Sequence, residues 1–448
     1  MSTRADRSEK TARELFLEHA AAYFDDLKVS AENAPYGQIF DHVEAFAVKH
    51  GRELIRQSME TMLQEQIDDH QKKKETTLCQ NCQTKKRHRG YRRKERISSL
   101  GSVTLERRYD ECSPCNLPEH VADEPFGLEG RYSIGIRRLA VFSAADESFQ
   151  KGSDALEEYL GLRLCHNTIR KLCNEEAPKM ETWQQTSTAV QKDFIESPGV
   201  IEVTTDGTIV NTTEGPREVK LALLAKRELG EGVLPEQWAD RPLPRHNACV
   251  AFAAVEEKEQ FQQRFAFWRY HLRLGSTGDI SALGDGAAWI WSIIVLVFGK
   301  VRECLDIYHA LEHLSDTGKV LYGEQTEAYK IWQEATTLEL LVGGFELIEK
   351  RLDRLDQESV EQSDKAKESL RLLRGYLENN RERLCYAVRL AEGRVIGSGQ
   401  VEGACKNLIG KRLKQTWAEW KVERLNRMAT ICAIRYSEQW KNYWKYAK

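Results

Sequence analysis

Three acids in this sequence stand where carboxylates could meet a metal ion. Asp206 lies in VIEVTTDGT, Asp285 in LGDGAAWIW and Glu402 in GSGQVEGACKN. The first two each end an apolar run that reads as a strand and precede a glycine; the third falls in the first turn of a helix entered through Gly397, Ser398 and Gly399. Two strand-end acids and one helical acid can converge on one cluster. Hard oxygen ligands hold Mg²⁺ or Mn²⁺, and two such ions about 3.5 to 4 Å apart activate the attacking oxygen and stabilise the leaving oxygen of a phosphodiester. The plain alternative is that each Asp-Gly is an ordinary turn tolerant of positive φ. Three acids on suitable elements favour the metal site.

A second constellation is made of thiols. Cys79-Gln-Asn-Cys82 and Cys112-Ser-Pro-Cys115 are two C-x-x-C pairs flanking alternating segments such as SVTLERRY. Paired thiolates at this spacing close a tetrahedral, structural Zn²⁺ site and can hold a small β module that has little core of its own. The remaining cysteines, Cys165, Cys173, Cys249, Cys304, Cys385, Cys405 and Cys432, lack such spacing and read as small apolar residues. Between the pairs runs KKRHRGYRRKER, whose Lys85, Lys86, Arg87, Arg89, Arg92, Arg93 and Lys94 could neutralise the phosphates of double-stranded DNA. Charge runs are often only solvated faces. Here a helix-turn-helix pattern follows: SDALEEYLG and LCHNTIRKLCNEEA are joined at Gly161. On its second helix Asn167, Thr168, Arg170 and Lys171 would reach base edges or phosphates, and Lys411, Arg412 and Lys414 of KRLK are further candidates for DNA contact.

One motif competes. His309-Ala-Leu-Glu312-His313 matches the H-x-x-E-H of inverted zinc peptidases, but no third ligand is evident downstream, and helix histidines packed under the acid site are the simpler reading.

The elements needed to position these groups follow from patterning. The chain has 448 residues, 41% of them apolar, so it can bury several cores. Its net charge of -3 announces no nucleic-acid partner by itself, though local basic blocks can bind DNA in an acidic chain. The apolar run at residues 288–298 is too short to span a membrane and reads as core. Eleven cysteines without an export signal favour a reducing, cytoplasmic setting, nucleoid-associated if DNA is the partner. Six regions are expected: a helical arm over 1–75, a zinc-ribbon-like module over 76–120, a helical helix-turn-helix region over 121–195, the first part of a catalytic domain over 196–310, a helical insertion over 311–392, and the final part of that domain with a C-terminal helix over 393–448. Within 196–310, three sequential β-rich runs followed by strand-helix alternation give the element order of an RNase H-like α/β domain.

Taken together, SLGSVTLERRYDECSPC, TTDGT, LGDGAAWIW, LDIYHALEHL and GSGQVEGACKNLIGKRLK resemble bacterial insertion-sequence transposases of the ISKra type. The resemblance implies an RNase H-like fold with Asp206, Asp285 and Glu402 as catalytic, Mg²⁺-binding acids, and Asp306 and His309 as a supporting D-x-x-H element. It also implies metal-dependent strand cleavage and strand transfer at terminal inverted repeats and in target DNA, by a homodimer or larger assembly. After RLKQ this chain has Trp417 where the family has a glycine-containing turn. The alternative is a captured, non-catalytic DNA-binding repressor that retains the fold.

Overall fold

A computed structural model describes residues 10–74, 78–275, 279–358, 363–397, 410–415 and 418–447. The chain divides into two compact units, one running up to Ala144 and taking in Phe149–Leu172, the other comprising Ala145–Ser148 and Cys173–Tyr446.

In the first unit, α1 (Ala12–Glu32) and α2 (Ile39–Lys73) form an antiparallel pair. Thr11 and Glu14 start α1 with a reciprocal capping box, the hydroxyl accepting from the Glu14 N–H at 3.2 Å and the carboxylate from the Thr11 N–H at 2.7 Å. The expected β module is a three-stranded antiparallel sheet of β1 (Arg87–Ser98), β2 (Gly101–Cys112) and β3 (Leu117–His120), with β2 central. β3 is short, which leaves part of one β2 edge open. Side chains of α2 close it: the Gln64 amide both accepts from Glu106 N and donates to Glu106 O, at 2.7 and 3.0 Å, and Glu60 accepts from Thr104 N at 3.2 Å. The core beneath is small, centred on Ile67, Val103, Leu105, Ala122 and Leu128. Beyond it come α3 (Ile134–Asp146), α4 (Phe149–Leu160) and the start of α5 (His166–Thr186).

The second unit begins with the rest of α5 and with α6 (Thr188–Glu196), and centres on a mixed five-stranded sheet. Its first three strands, β4 (Val200–Thr212), β5 (Gly215–Arg227) and β6 (Ala248–Ala254), are an antiparallel meander. After α7 (Lys258–His271) come β7 (Ile280–Gly284), α8 (Ala288–Phe298) and β8 (Arg302–Leu305). β7 pairs parallel with β4 and β8 parallel with β7, so the sheet order is β6-β5-β4-β7-β8. A helical segment follows: α9 (Ile307–Tyr322), α10 (Glu327–Glu358), α11 (Asp364–Asn379) and α12 (Tyr386–Ala391). The chain ends with α13 (Val422–Tyr436) and α14 (Trp440–Tyr446).

The two sheet faces bury different partners. Val203, Ala222, Val250 and Ile280 pack with Phe261, Phe265 and Trp268 of α7 and with Ile293 and Val297 of α8. Leu283, Cys304 and Leu305 join the core of α9 to α12. The apolar run at 288–298 is therefore core helix on its buried side, and among the described residues no helix is long and apolar enough to cross a membrane. β6 is an edge strand, and polar side chains seal it. Asn426 accepts from Val255 N at 2.7 Å, the Ser437 hydroxyl accepts from Ala251 N at 2.7 Å, and Gln439 donates to Cys249 O at 3.2 Å. An amide or hydroxyl here satisfies backbone that would otherwise recruit a foreign strand.

Candidate functional site

Strand register brings the two aspartates together. Ile201 of β4 pairs with Ile280 of β7 and Thr204 with Leu283, a constant offset of 79 residues, and 79 residues also separate Asp206 from Asp285. Both acids thus lie two residues beyond the last position at which β4 and β7 pair. β4 is longer than the sequence suggests: it runs on through Asp206 as a hairpin with β5, where Asp206 faces Leu221, while β7 stops at Gly284. The acids mark the point at which β4 and β7 part. One strand further, Gly284 pairs with Leu305, so Asp285 and Asp306 continue the same row.

Each acid is held by local backbone. Asp206 accepts from Gly207 N at 2.7 Å and Asp285 from Ala287 N at 2.8 Å, while the Trp291 indole donates to the Asp285 carbonyl at 3.0 Å. Neither Gly207 nor Gly286 has a positive φ; Gly207 lies within β4, while Asp285, accepting from the N–H two residues on, closes an ordinary Asx turn at Gly286. Close approach bears on both, strictly at Gly286, where a ring is the neighbour, and loosely at Gly207, where the movable end of Glu218 is. A Cβ on Gly286 would lie 2.4 Å from the Tyr376 ring, and one on Gly207 would lie 2.2 Å from a Glu218 carboxylate oxygen. Burial raises the Asp285 carboxyl above the ordinary aspartate range; the Ala287 N–H opposes this, and the Asp206 charge adds to it.

The D-x-x-H pair lies alongside. Asp306 is fully buried, caps α9 by accepting from Tyr308 N at 2.8 Å, and donates its own N–H to Gly284 O at 2.9 Å. His309, half-buried one turn on, is near enough for its charge to act on Asp285. His313, one further turn along α9, stacks on Tyr376, ring centroids 3.8 Å apart. Sequence reasoning missed Tyr376. It comes from α11, in the segment expected as an insertion, and its buried hydroxyl lies against the Gly286 backbone. Burial first, then the Asp285 and Asp306 charges, hold its phenol well above the usual range, so it stays a neutral donor beside the acids. The only available signal was an aromatic residue in an otherwise charged helix, RLLRGYLEN.

The four cysteines also meet. Cys79, Cys82, Cys112 and Cys115 place their Sγ atoms within 4.8 Å of one another, with Cys82 and Cys112 3.4 Å apart. A Zn–S bond of about 2.3 Å in a tetrahedron puts sulfurs roughly 3.8 Å apart, so the set fits zinc. The two knuckles share one conformation: the residue after each second cysteine, Gln83 and Asn116, has φ of 57° and 51°. Hydrogen bonds from Thr84 bring the Cys82 thiol down to about 6, whereas Cys82 pushes Cys115 up to about 12. Four sulfurs this close can all be deprotonated only with a cation among them. Among the described residues this is the only group of three or more histidine, cysteine, aspartate or glutamate side chains close enough to share an ion.

The basic block is the start of edge strand β1 and the two residues before it, with Lys85, Arg87, Arg89, Arg92 and Arg93 exposed and Lys86 and Lys94 half-buried. Acids on neighbouring strands offset part of its charge: Lys86 meets Glu119 at 2.7 Å and Arg89 meets Glu111 at 3.1 Å. In the helix pair, Gly161 takes φ +58 between α4 and α5. Asn167 and Lys171 are exposed one turn apart, Thr168 and Arg170 are half-buried, and Ile169 and Leu172 are buried opposite. Lys411 and Lys414 are exposed, but Arg412 is only 2% exposed, its guanidinium 5.0 Å from the centre of the Trp420 ring. That position is core, not contact surface, because the guanidinium is buried over the Trp420 indole.

Glu402 and Trp417 lie outside the described residues. The chain before Glu402 can be followed to Gly397, where a Cβ would lie within 3 Å of Ile307 and Tyr308, just past Asp306. Comparison of the chain with family models and with curated proteins gave no match.

Proposed function

We propose that this chain is a DNA transposase whose catalytic domain is RNase H-like. The observation that carries the proposal is the common offset that sets Asp206 and Asp285 side by side where the parallel pairing of β4 and β7 ends, in a sheet of order β6-β5-β4-β7-β8 whose first three strands are an antiparallel meander. Asp206 and Asp285 would hold a divalent ion, Mg²⁺ or Mn²⁺, and Glu402 would complete its ligands. Such an ion supplies Lewis-acid stabilisation of the phosphodiester oxygens and a water or 3′-hydroxyl of lowered pKa. The protein's own part is positional. Backbone N–H groups fix both carboxylates, Asp306 anchors α9 so that His309 stands beside them, and Tyr376 closes the site as a neutral donor.

The same reading assigns DNA recognition to the other unit. The cysteine cluster, holding zinc, would stiffen the small sheet that carries the exposed arginines of β1, while Asn167 and Lys171 would face the duplex from α5. Because two element ends are processed together, the active form would be a dimer or larger on DNA.

The test is cleavage of a labelled duplex bearing the element's own terminal repeat, with and without Mg²⁺, comparing wild type with Asp285→Ala and Asp206→Ala. Metal-dependent cuts lost in both variants support the proposal. Specific binding with no cutting by any of the three proteins would replace it with the non-catalytic DNA-binding repressor.

A further inference from the structure

Beside the acid row, on the same face of β4, is a cavity that the reaction outlined above does not use. Its volume is about 440 Å³, and its floor includes Glu202 and Thr204, the residues four and two before Asp206. Side chains two apart on a strand share a face, so Thr204 and Asp206 point the same way about 7 Å apart. Trp238 and Tyr308 form aromatic walls, ring centroids 6.1 Å apart and tilted by 54°.

Two polar groups in this cavity lack a partner among the described residues. Thr204 is 6% exposed and its hydroxyl makes no hydrogen bond; the same holds for Nη1 of Arg241, which also lines the cavity. A buried donor left unmet costs about 1 to 3 kcal/mol. Valine would fit Thr204's place in a strand without that cost. The cavity is also built rather than left over. Arg227 is 3% exposed, pairs with Glu202 at 3.0 Å, and donates to the carbonyl of Pro244, which pins the loop over residues 228–247 that carries Trp238 and Arg241.

Aromatic walls, unmet donors at the edge and a volume in the range of small-ligand sites describe a planar heteroaromatic ring with acceptor atoms on its rim. We propose that this cavity is a nucleobase subsite, which receives a base unstacked from the strand held at Asp206 and Asp285. It rests on the transposase reading above. Unstacking costs a few kcal/mol, and stacking on an aromatic side chain returns about 1 to 3 kcal/mol per base.

The probe is 2-aminopurine deoxyriboside 5′-monophosphate, whose fluorescence falls when its base stacks on an indole. Wild type should quench it saturably. Trp238→Ala and Arg241→Gln should bind about 5- to 100-fold more weakly, Thr204→Val should weaken binding as well, and Trp238→Phe should recover part of the loss. Asp285→Asn should bind like wild type, since it leaves the cavity intact. No saturable quenching by wild type, or equal quenching by Trp238→Ala and Arg241→Gln with unchanged near-UV circular dichroism, overturns the subsite. DNA cleavage without nucleotide binding sinks the subsite alone; nucleotide binding without cleavage upholds it and sinks the nuclease reading.

Discussion

Freed of divalent ions, Asp285→Asn should be more stable than wild type. Asp206 and Asp285 lie two residues beyond the last paired position of neighbouring strands, and strands paired there are about 4.8 Å apart, so the two charges are on the order of 6 Å apart. Two like charges at that distance repel by roughly 3 kcal/mol at an effective dielectric near 20. Both acids are half-buried, and solvent screening reduces this to about 1 to 2 kcal/mol. Asparagine removes the repulsion and keeps an oxygen to accept from Ala287 N, now at 2.8 Å. In a unit of this size the gain is a rise in Tm of about 2 to 8 °C. The pH dependence has a definite sign. The Asp285 carboxyl is raised in the folded protein, so the folded state holds that proton more tightly than the unfolded chain, and wild-type stability falls as pH climbs past the ordinary value of 3.8. The advantage of the variant should therefore shrink as pH is lowered toward 3.8. Mg²⁺ should reverse the ranking, because ligand at about a hundred times its Kd stabilises a protein that binds it by about 2.7 kcal/mol and the variant has lost a ligand. Thermal denaturation with chelator, then with Mg²⁺, reads all of this. A variant less stable than wild type in chelator, together with a wild type indifferent to Mg²⁺ and Mn²⁺, would refute the shared-site argument.

Three further outcomes are expected. Cys112→Ser should abolish stoichiometric zinc measured by elemental analysis and expose the β1–β2 hairpin to protease, because the core beneath that sheet is small; unchanged zinc content would show the metal to be elsewhere. Gly286→Ala should cost about 1 to 3 kcal/mol in chemical denaturation, since the new methyl meets the Tyr376 ring at 2.4 Å, and Tyr376→Leu in the same chain should recover part of that cost. Lys171→Ala should weaken DNA binding at low salt and lower the slope of log affinity against log salt by about one, with helicity unchanged; an unaltered slope would remove α5 from the DNA-facing surface.

What could be read without the fold was local. The C-x-x-C pairs announce a four-cysteine cluster because the spacing itself sets how two sulfurs can approach one ion, and the presence of β-rich runs before a charged helical segment follows from patterning, though the full thirteen-residue length of β4 and β5 does not. Asp206 and Asp285 could be singled out as acids that close apolar runs, yet Asp206 lies mid-way along β4, and nothing in TTDGT or LGDGAAWIW says that the offset between their strands equals the distance between them in sequence. Register is a property of packing: a slip of one residue would turn one acid to the opposite face, and only burial of Val203 on one side and Leu283 on the other fixes it. The same limit hid Tyr376, brought to Gly286 by helix packing, and misplaced Arg412, whose charge suggested a surface while the indole of Trp420 covers it. The sequence by itself determined which residues had the chemistry for metal and phosphate; the tertiary structure decided which of them share a site, because proximity between distant segments is set by strand register and core packing, not by residue type.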